Sequence, residues 1–185
     1  MKISFVTQNK YKFDEVKEIL GRFNIKVEHI NVEKPEKGKT IEEISKNAAE
    51  VLSQKLNKAV VVEDTGVFFN AYDNFPGKEP KKVFNRVGFK GLLDKLKEKK
   101  RKAYFKTVAA YCEPGKKAKL FVGVVNGRIS EEVRCKDKDV MPYEKIFIPE
   151  GYDKVWAEIP EIKKKISHRV KAFERLGKFL LSENH

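Results

Sequence analysis

Cysteine is scarce in this sequence, and its two cysteines, Cys112 and Cys135, lie far apart. They form neither a CxxC pair nor a dense disulfide framework, so we interpret them as free thiols in a reducing compartment. With three histidines and no HExxH element, a zinc site is not expected. No apolar run approaches the roughly 18 residues of a membrane span, and the first residues lack the apolar core of a signal peptide. These absences favour a cytoplasmic protein with no membrane partner.

Acidic residues are the minority charge, with 27 Asp and Glu against 40 Lys and Arg, a formal net charge of +13. Such an excess favours polyanionic partners, among them nucleotides and nucleic acid. Lysine runs such as KEKKRK at 97–102 more often coat solvated surface, so nucleic acid is the less favoured partner. The 185 residues, 41% of them hydrophobic, can bury a core and predict one domain spanning 1–185.

Hydrophobic periodicity predicts an α/β fold whose first half alternates strands with helices that pack on the sheet. Strands are predicted at 2–7, 26–32 and 59–63, and helices at 10–20 and 40–56. Beyond a loop at 70–82 we expect a helix over 82–99, antiparallel strands within 102–114, 118–134 and 145–148, and a last helix over 166–181. Pro114-Gly115 and Asn126-Gly127 are the predicted turns.

Glu63 and Asp64 interrupt the apolar run VVVEDTGVFF at 60–69. An ionised acid that leaves water without a partner is costly, so this pair needs an explanation. We expect the central strand to end at Asp64, with Thr65-Gly66 as a tight turn. Open α/β sheets bind ligands at the carboxyl ends of their strands, so this position favours a functional role for Asp64. Asp64 could hold a divalent cation or accept a proton from water. Capping, or pairing with a lysine, explains this stretch equally well.

A polar turn, Thr7-Gln8-Asn9, separates the first strand from the first helix. Backbone N–H groups and the positive end of the helix dipole could meet an anion there. Lys12, one turn into the helix, could reach back and clamp a triphosphate together with Thr7 and Asn9. Taken alone, it is an ordinary solvated lysine.

The stretch ISHRVKAF at 166–173 begins the last helix. Ser167 is a candidate N-cap. His168 and Arg169 place cations where the helix dipole favours an anion. The basic pair therefore predicts a negative or hydrogen-bonding group nearby.

Several motifs, taken in their order, resemble the inosine triphosphate pyrophosphatase family, archaeal members most. They are TQNKYK at 7–12, PEKGKTIEEI at 35–44, VEDTG at 62–66, FPG at 75–77, AYFKTVAAYC at 103–112 and FIPEGYDKVWAEIPEIKKKISHRVKAF at 147–173. The resemblance implies an elongated mixed β-sheet in two lobes with a central nucleotide cleft. It also implies a cytoplasmic, usually homodimeric enzyme. Such enzymes use Mg²⁺ to cleave noncanonical purine nucleoside triphosphates (ITP, dITP, XTP) to the monophosphate and pyrophosphate.

The resemblance also implies a role for each matching residue. Asp64 would bind Mg²⁺ with Glu36 and activate the attacking water, and Lys12 would assist catalysis. Glu63, on the other face of the strand, would orient a basic neighbour. The residues expected to bind substrate are Thr7, Asn9 and Lys12 at the phosphates and Tyr143, Glu144, Lys163, Ser167, His168 and Arg169 toward the base. Phosphoanhydride hydrolysis is mainly positioning and charge neutralisation, which such a set can supply.

The sequence departs from the family pattern in the base-recognition stretch, which reads DVMPYEKIF at 139–147. Met141 stands where a base-stacking Phe is usual, Tyr143 keeps the second aromatic and Glu144 replaces Asp, so base preference is open. The loop KEPKK at 78–82 is unusually basic. Two alternatives therefore remain: a related protein that binds RNA or a nucleotide without turnover, and a triphosphatase with another base preference.

Overall fold

The computed structural model describes residues 1–183, which form a mixed β-sheet with five α-helices. The strands are β1 (Lys2–Val6), β2 (Lys26–Ile30), β3 (Val60–Phe69), β4 (Pro76–Gly77), β5 (Lys102–Cys112), β6 (Lys119–Ile129) and β7 (Phe147–Pro149). The helices are α1 (Lys10–Gly21), α2 (Ile41–Leu56), α3 (Pro80–Asp94), α4 (Pro160–Ile166) and α5 (His168–Ser182), with 3₁₀ turns at Pro142–Lys145 and Trp156–Glu158. None of the helices within 1–183 has the length and apolarity to cross a membrane.

The strands of this part of the chain form one seven-stranded sheet in the order β2-β1-β3-β5-β6-β7, with β4 paired to β3. Strand β1 runs parallel to both β2 and β3. The β3–β4 and β6–β7 pairs are antiparallel. The sheet is therefore mixed, which confirms the predicted α/β class.

Contacts within the chain define two compact units, each assembled from separate segments. The first contains Met1–Asp64, Thr107–Gly123 and the chain from His168 onward; the second contains Thr65–Lys106 and Val124–Ser167. That the chain is one domain with a central cleft stays a prediction.

The first unit packs helices on the sheet, as the 3.6-residue periodicity predicts. Helices α1 and α5 bury Leu20 and Phe173 in one cluster with Phe5 of β1. Helix α2 buries Leu52 in another cluster with Val62 of β3. Both α1 and α2 start with a side-chain cap. The Asn9 side-chain oxygen accepts the Lys12 N–H at 3.1 Å, and the Thr40 hydroxyl accepts the Glu43 N–H at 3.2 Å.

The second unit has its own aromatic core, in which Phe69, Phe105, Phe147 and Trp156 are buried together. Helix α3 begins at Pro80, two residues before the predicted start at 82, and ends at Asp94 instead of 99. Its interior is interrupted at Gly88, whose φ of 61° lies in the left-handed region.

Two turn predictions were wrong. Strand β3 continues through Thr65-Gly66 to Phe69, because its later residues pair with β4 after the parallel pairing with β1 has ended at Val61. Asn126-Gly127 lies inside β6, where Gly127 pairs with Pro149 of β7. Asp64 thus lies within a strand, but beyond the carboxyl end of the parallel pairing.

Candidate functional site

The two acids of β3 have opposite environments, because successive side chains of a strand point to opposite faces. Glu63 is 3% exposed. The Asp64 side chain is 16% exposed. The acid pair therefore divides into one buried member and one that solvent or a ligand can reach.

Glu63 is the centre of a buried charge network in the first unit. Arg169 Nε and Nη2 each approach a Glu63 carboxylate oxygen at 3.4 Å, and Lys12 Nζ lies 3.3 Å from Oε2. The Thr107 hydroxyl donates to Oε1 at 3.5 Å. Arg169 Nη1 also donates to Glu15. The expectation that Glu63 orients a basic neighbour is confirmed.

Arg169 is 1% exposed, so its charge depends on these acids. Burial by itself would lower the pKa of the guanidinium, but the Glu63 and Glu15 carboxylates outweigh burial and raise that pKa above its ordinary value. The predicted negative group beside the first turn of α5 is therefore this pair of acids.

Asp64 is held by two partners in the same unit. Lys34 Nζ donates to Oδ1 at 2.5 Å, and the Ser45 hydroxyl donates to Oδ2 at 2.8 Å. Ser45 lies in α2 and is buried, whereas Lys34 belongs to the segment between β2 and α2 that is neither helix nor strand. One Asp64 oxygen thus has a rigid partner, and the other has a partner on an irregular segment.

The turn between β1 and α1 exposes the start of a helix. The Thr7 hydroxyl accepts the Asn9 N–H at 3.1 Å, and Asn9 in turn caps α1. His29 Nε2 lies 2.8 Å from the Thr7 carbonyl oxygen. These contacts fix the turn at the positive end of the helix dipole, a suitable place for an anion. Phosphate binding by Thr7, Asn9 and Lys12 stays a prediction.

Four residues predicted near the base, namely Tyr143, Glu144, Lys163 and Ser167, lie in the second unit. Lys163 Nζ donates to Glu144 Oε1 at 2.6 Å, and both residues are buried. The Tyr143 hydroxyl donates to the Pro80 carbonyl at 2.9 Å, and burial raises the pKa of Tyr143 well above its ordinary value. Glu144 and Lys163 therefore act as one buried ion pair, and Tyr143 is part of the core around it. Their contact with a base is untested.

Ser167 and His168 form the junction between α4 and α5, and both are buried. The Ser167 N–H donates to the Lys163 carbonyl at 3.1 Å. Within the first unit, α5 begins directly against β6: a Cβ added to Gly123 would lie 2.0 Å from the His168 carbonyl oxygen. Only a residue without a side chain permits this approach, so Gly123 determines where α5 starts.

Within residues 1–183, no three acidic, histidine or cysteine side chains group as a metal cage. Mg²⁺ does not require one, because proteins usually bind it through one or two carboxylates plus substrate phosphates. Asp64 presents a partly exposed carboxylate, and Glu36 lies two residues after Lys34, whose ammonium contacts Asp64. These oxygen donors fit Mg²⁺. The binding itself is untested.

Much of the basic charge around α3 is paired on the surface. Lys82 contacts Glu79 at 2.5 Å, and Lys90 and Lys97 contact Asp94 at 2.6 and 2.9 Å. Of these three pairs, Lys82–Glu79 lies within the loop at 78–82, where Glu79 offsets one lysine charge.

Sequence reasoning missed four residues of these contacts: Thr107 beside Glu63, Lys34 and Ser45 beside Asp64, and Glu15 beside Arg169. Glu15 is 154 positions from its Arg169 partner, and no local pattern indicates that contact. Nothing in the local sequence distinguishes Lys34 from the many other lysines of the chain. Ser45 offered the only usable signal, as a polar residue on the buried face of α2.

The fold and these contacts define an α/β protein with a partly exposed acid beside a parallel strand end and a capped helix start. The chain belongs to the Ham1 family, whose sequence model matches residues 3–179. Its relatives include archaeal proteins named dITP/XTP pyrophosphatase. That of Methanopyrus kandleri is 42% identical over 97% of this chain and 96% of its own, and that of Saccharolobus solfataricus is 41% identical over 98% and 95%.

Solved structures agree with this assignment. A HAM1 protein from Coxiella burnetii matches with a TM-score of 0.81 at 25% identity, over 98% of this chain and 99% of that one. The Ham1 protein of Staphylococcus aureus matches with a TM-score of 0.75 at 26% identity, over 99% and 100%. The resemblance identified from the motifs is confirmed.

Proposed function

We propose that this protein hydrolyses noncanonical purine nucleoside triphosphates (ITP, dITP and XTP) to the monophosphate and pyrophosphate, with Mg²⁺ as cofactor, and so cleans the nucleotide pool. One observation carries the proposal: a relationship of about two-fifths identity over nearly the full chain to proteins named dITP/XTP pyrophosphatase. The geometry at Asp64 and at the start of α1 is compatible with that chemistry.

The start of α1 supplies the phosphate-binding part of the proposal. Its capped turn presents main-chain N–H groups and the dipole's positive end, and Lys12 adds a charge one turn later. Glu63 holds the Lys12 ammonium at 3.3 Å, which restricts that long side chain before substrate arrives. Lys12 and the turn would therefore neutralise the triphosphate from one side.

Asp64 is the proposed metal ligand and water-activating base, with Glu36 as the second carboxylate. Bound Mg²⁺ would neutralise phosphate charge and polarise the phosphoryl group. Ser45 fixes one Asp64 oxygen at 2.8 Å, so the other oxygen keeps a defined direction. Asp64 would accept the proton of the attacking water as the bond to the α-phosphorus forms and pyrophosphate leaves.

Base discrimination is assigned to hydrogen bonds rather than to size. Within the second unit, Glu144 and Lys163 form a buried donor–acceptor pair, and Ser167 follows at the end of α4. A 6-oxo purine would satisfy such groups. An adenine amino group would not form the same hydrogen bonds with these side chains. Such a mismatch can produce selectivity of several orders of magnitude.

We further propose that the protein acts as a cytoplasmic homodimer, as the family resemblance implies. Two cysteines without a disulfide suit a reducing compartment. Light scattering coupled to gel filtration should give about twice the monomer mass of 21.4 kDa. A single species at the monomer mass would contradict the dimer.

Product analysis tests the activity. Incubation with ITP and Mg²⁺ should yield inosine monophosphate and pyrophosphate, resolved by ion-exchange chromatography. Asp64→Asn should lower kcat by about 10²–10⁴-fold while nucleotide still binds. Release of inosine diphosphate and inorganic phosphate from ITP would overturn the proposal, and so would full activity of the Asp64→Asn variant.

A further inference from the structure

Lys34 contacts the carboxylate oxygen that a metal ion would need. Its ammonium lies 2.5 Å from Asp64 Oδ1, while the Ser45 hydroxyl satisfies Oδ2. A lysine ammonium and a divalent cation at bonding distance from the same oxygen repel each other, because both are positively charged. Occupation of Oδ1 by one therefore disfavours the other.

Lys34 lies on a segment that contributes to no helix or strand. Residues 31–40 join β2 to α2 and belong to neither element. The later part of the segment is attached to α2: Asn47 donates to the Lys37 carbonyl at 2.9 Å, and Glu43 accepts the Lys39 N–H at 2.8 Å. Lys34 precedes these attachments, and its side chain is 19% exposed.

From these contacts we infer that Lys34 competes with the divalent cation for Asp64 and sets the metal affinity of the nucleotide-free protein. The inference rests on the proposed function, which makes Asp64 a metal ligand. Metal entry requires the Lys34 ammonium to leave Oδ1. The released ammonium then stands beside the phosphates that arrive with the metal, and it adds positive charge where the triphosphate carries most of its negative charge.

The test measures Mn²⁺ binding to nucleotide-free protein by electron paramagnetic resonance, with Mn²⁺ in place of Mg²⁺. Lys34→Met should tighten Mn²⁺ binding by about three- to tenfold, the size of one partly exposed ion pair plus the removed repulsion. Lys34→Arg, which keeps the charge, should stay near the wild-type affinity. Lys37→Met removes the same charge from the same segment and should change the affinity by less than about twofold.

The outcomes separate this inference from the proposed function. Unchanged or weaker Mn²⁺ binding in Lys34→Met overturns the competition, as does equal tightening in Lys34→Met and Lys37→Met, which would indicate a general field effect. Asp64→Asn should abolish Mn²⁺ binding. If it does not, the metal assignment in the proposed function fails, whatever the Lys34 variants do.

Discussion

Replacing Glu63 by glutamine would remove the charge at the centre of the buried network while keeping the side chain's shape. Arg169 and Lys12 would then retain two cations around a neutral amide, with Glu15 as the remaining acid. Removing one partner of a buried ion pair typically costs about 3–5 kcal/mol. Because Glu15 still contacts Arg169, we expect the lower end, about 3 kcal/mol of unfolding free energy.

Urea denaturation followed by circular dichroism should show this loss. A chain of this size loses about 2–4 °C in Tm per kcal/mol, so thermal unfolding should shift down by about 6–12 °C. Glu28→Gln is the matched control, since Glu28 also contacts cations, Lys2 and Lys58, but at the surface. Its Tm shift should be far smaller. A Glu63→Gln loss below about 1 kcal/mol would refute the reasoning that the network is a desolvated charge cluster.

Three further substitutions have defined outcomes. Tyr143→Phe should cost about 1 kcal/mol at neutral pH through its lost hydrogen bond. Burial raises the Tyr143 pKa from 10.0, so the protonated phenol stabilises the fold below pH 10, and this stabilisation is lost as the pH rises further. In thermal melts, Tyr143→Phe should therefore lose less stability at alkaline pH than the wild-type protein does. Glu144→Gln should remove the carboxylate that the buried Lys163 ammonium contacts, and so lower Tm and raise KM for ITP. An unchanged KM would show that the pair does not contact the substrate. Gly123→Ala should destabilise by about 1–3 kcal/mol in urea. Gly177→Ala, whose added Cβ meets only the Phe23 ring, should cost less, and equal effects would contradict the close approach of α5 to β6.

The local elements of this fold were predictable because their signals are local. Apolar spacing and caps locate α1 and α2 almost to the residue: Asn9 and Thr40 each satisfy a first-turn N–H. Asn126-Gly127 failed as a turn because pairing with β7, more than 20 positions away in the chain, keeps β6 extended through it.

The site was predictable in its acids but not in their partners. A buried acid must have compensation, so the sequence indicates that Glu63 has a partner. Which cation supplies it depends on how α5 meets β3, over 106 positions. Lys34 and Ser45 reach Asp64 from 30 and 19 positions away, again through the tertiary fold. The family resemblance therefore indicated the function, and long-range packing determined the geometry.

The ratio of kcat/KM for dITP to that for dATP, with Mg²⁺ and pyrophosphate release as the readout, tests the central claim most directly. A site that hydrogen-bonds the 6-oxo group should favour dITP by at least about 10²-fold. A ratio near 1 would contradict base selection by these groups. If the folded protein released no pyrophosphate from either nucleotide, the pyrophosphatase activity itself would be contradicted.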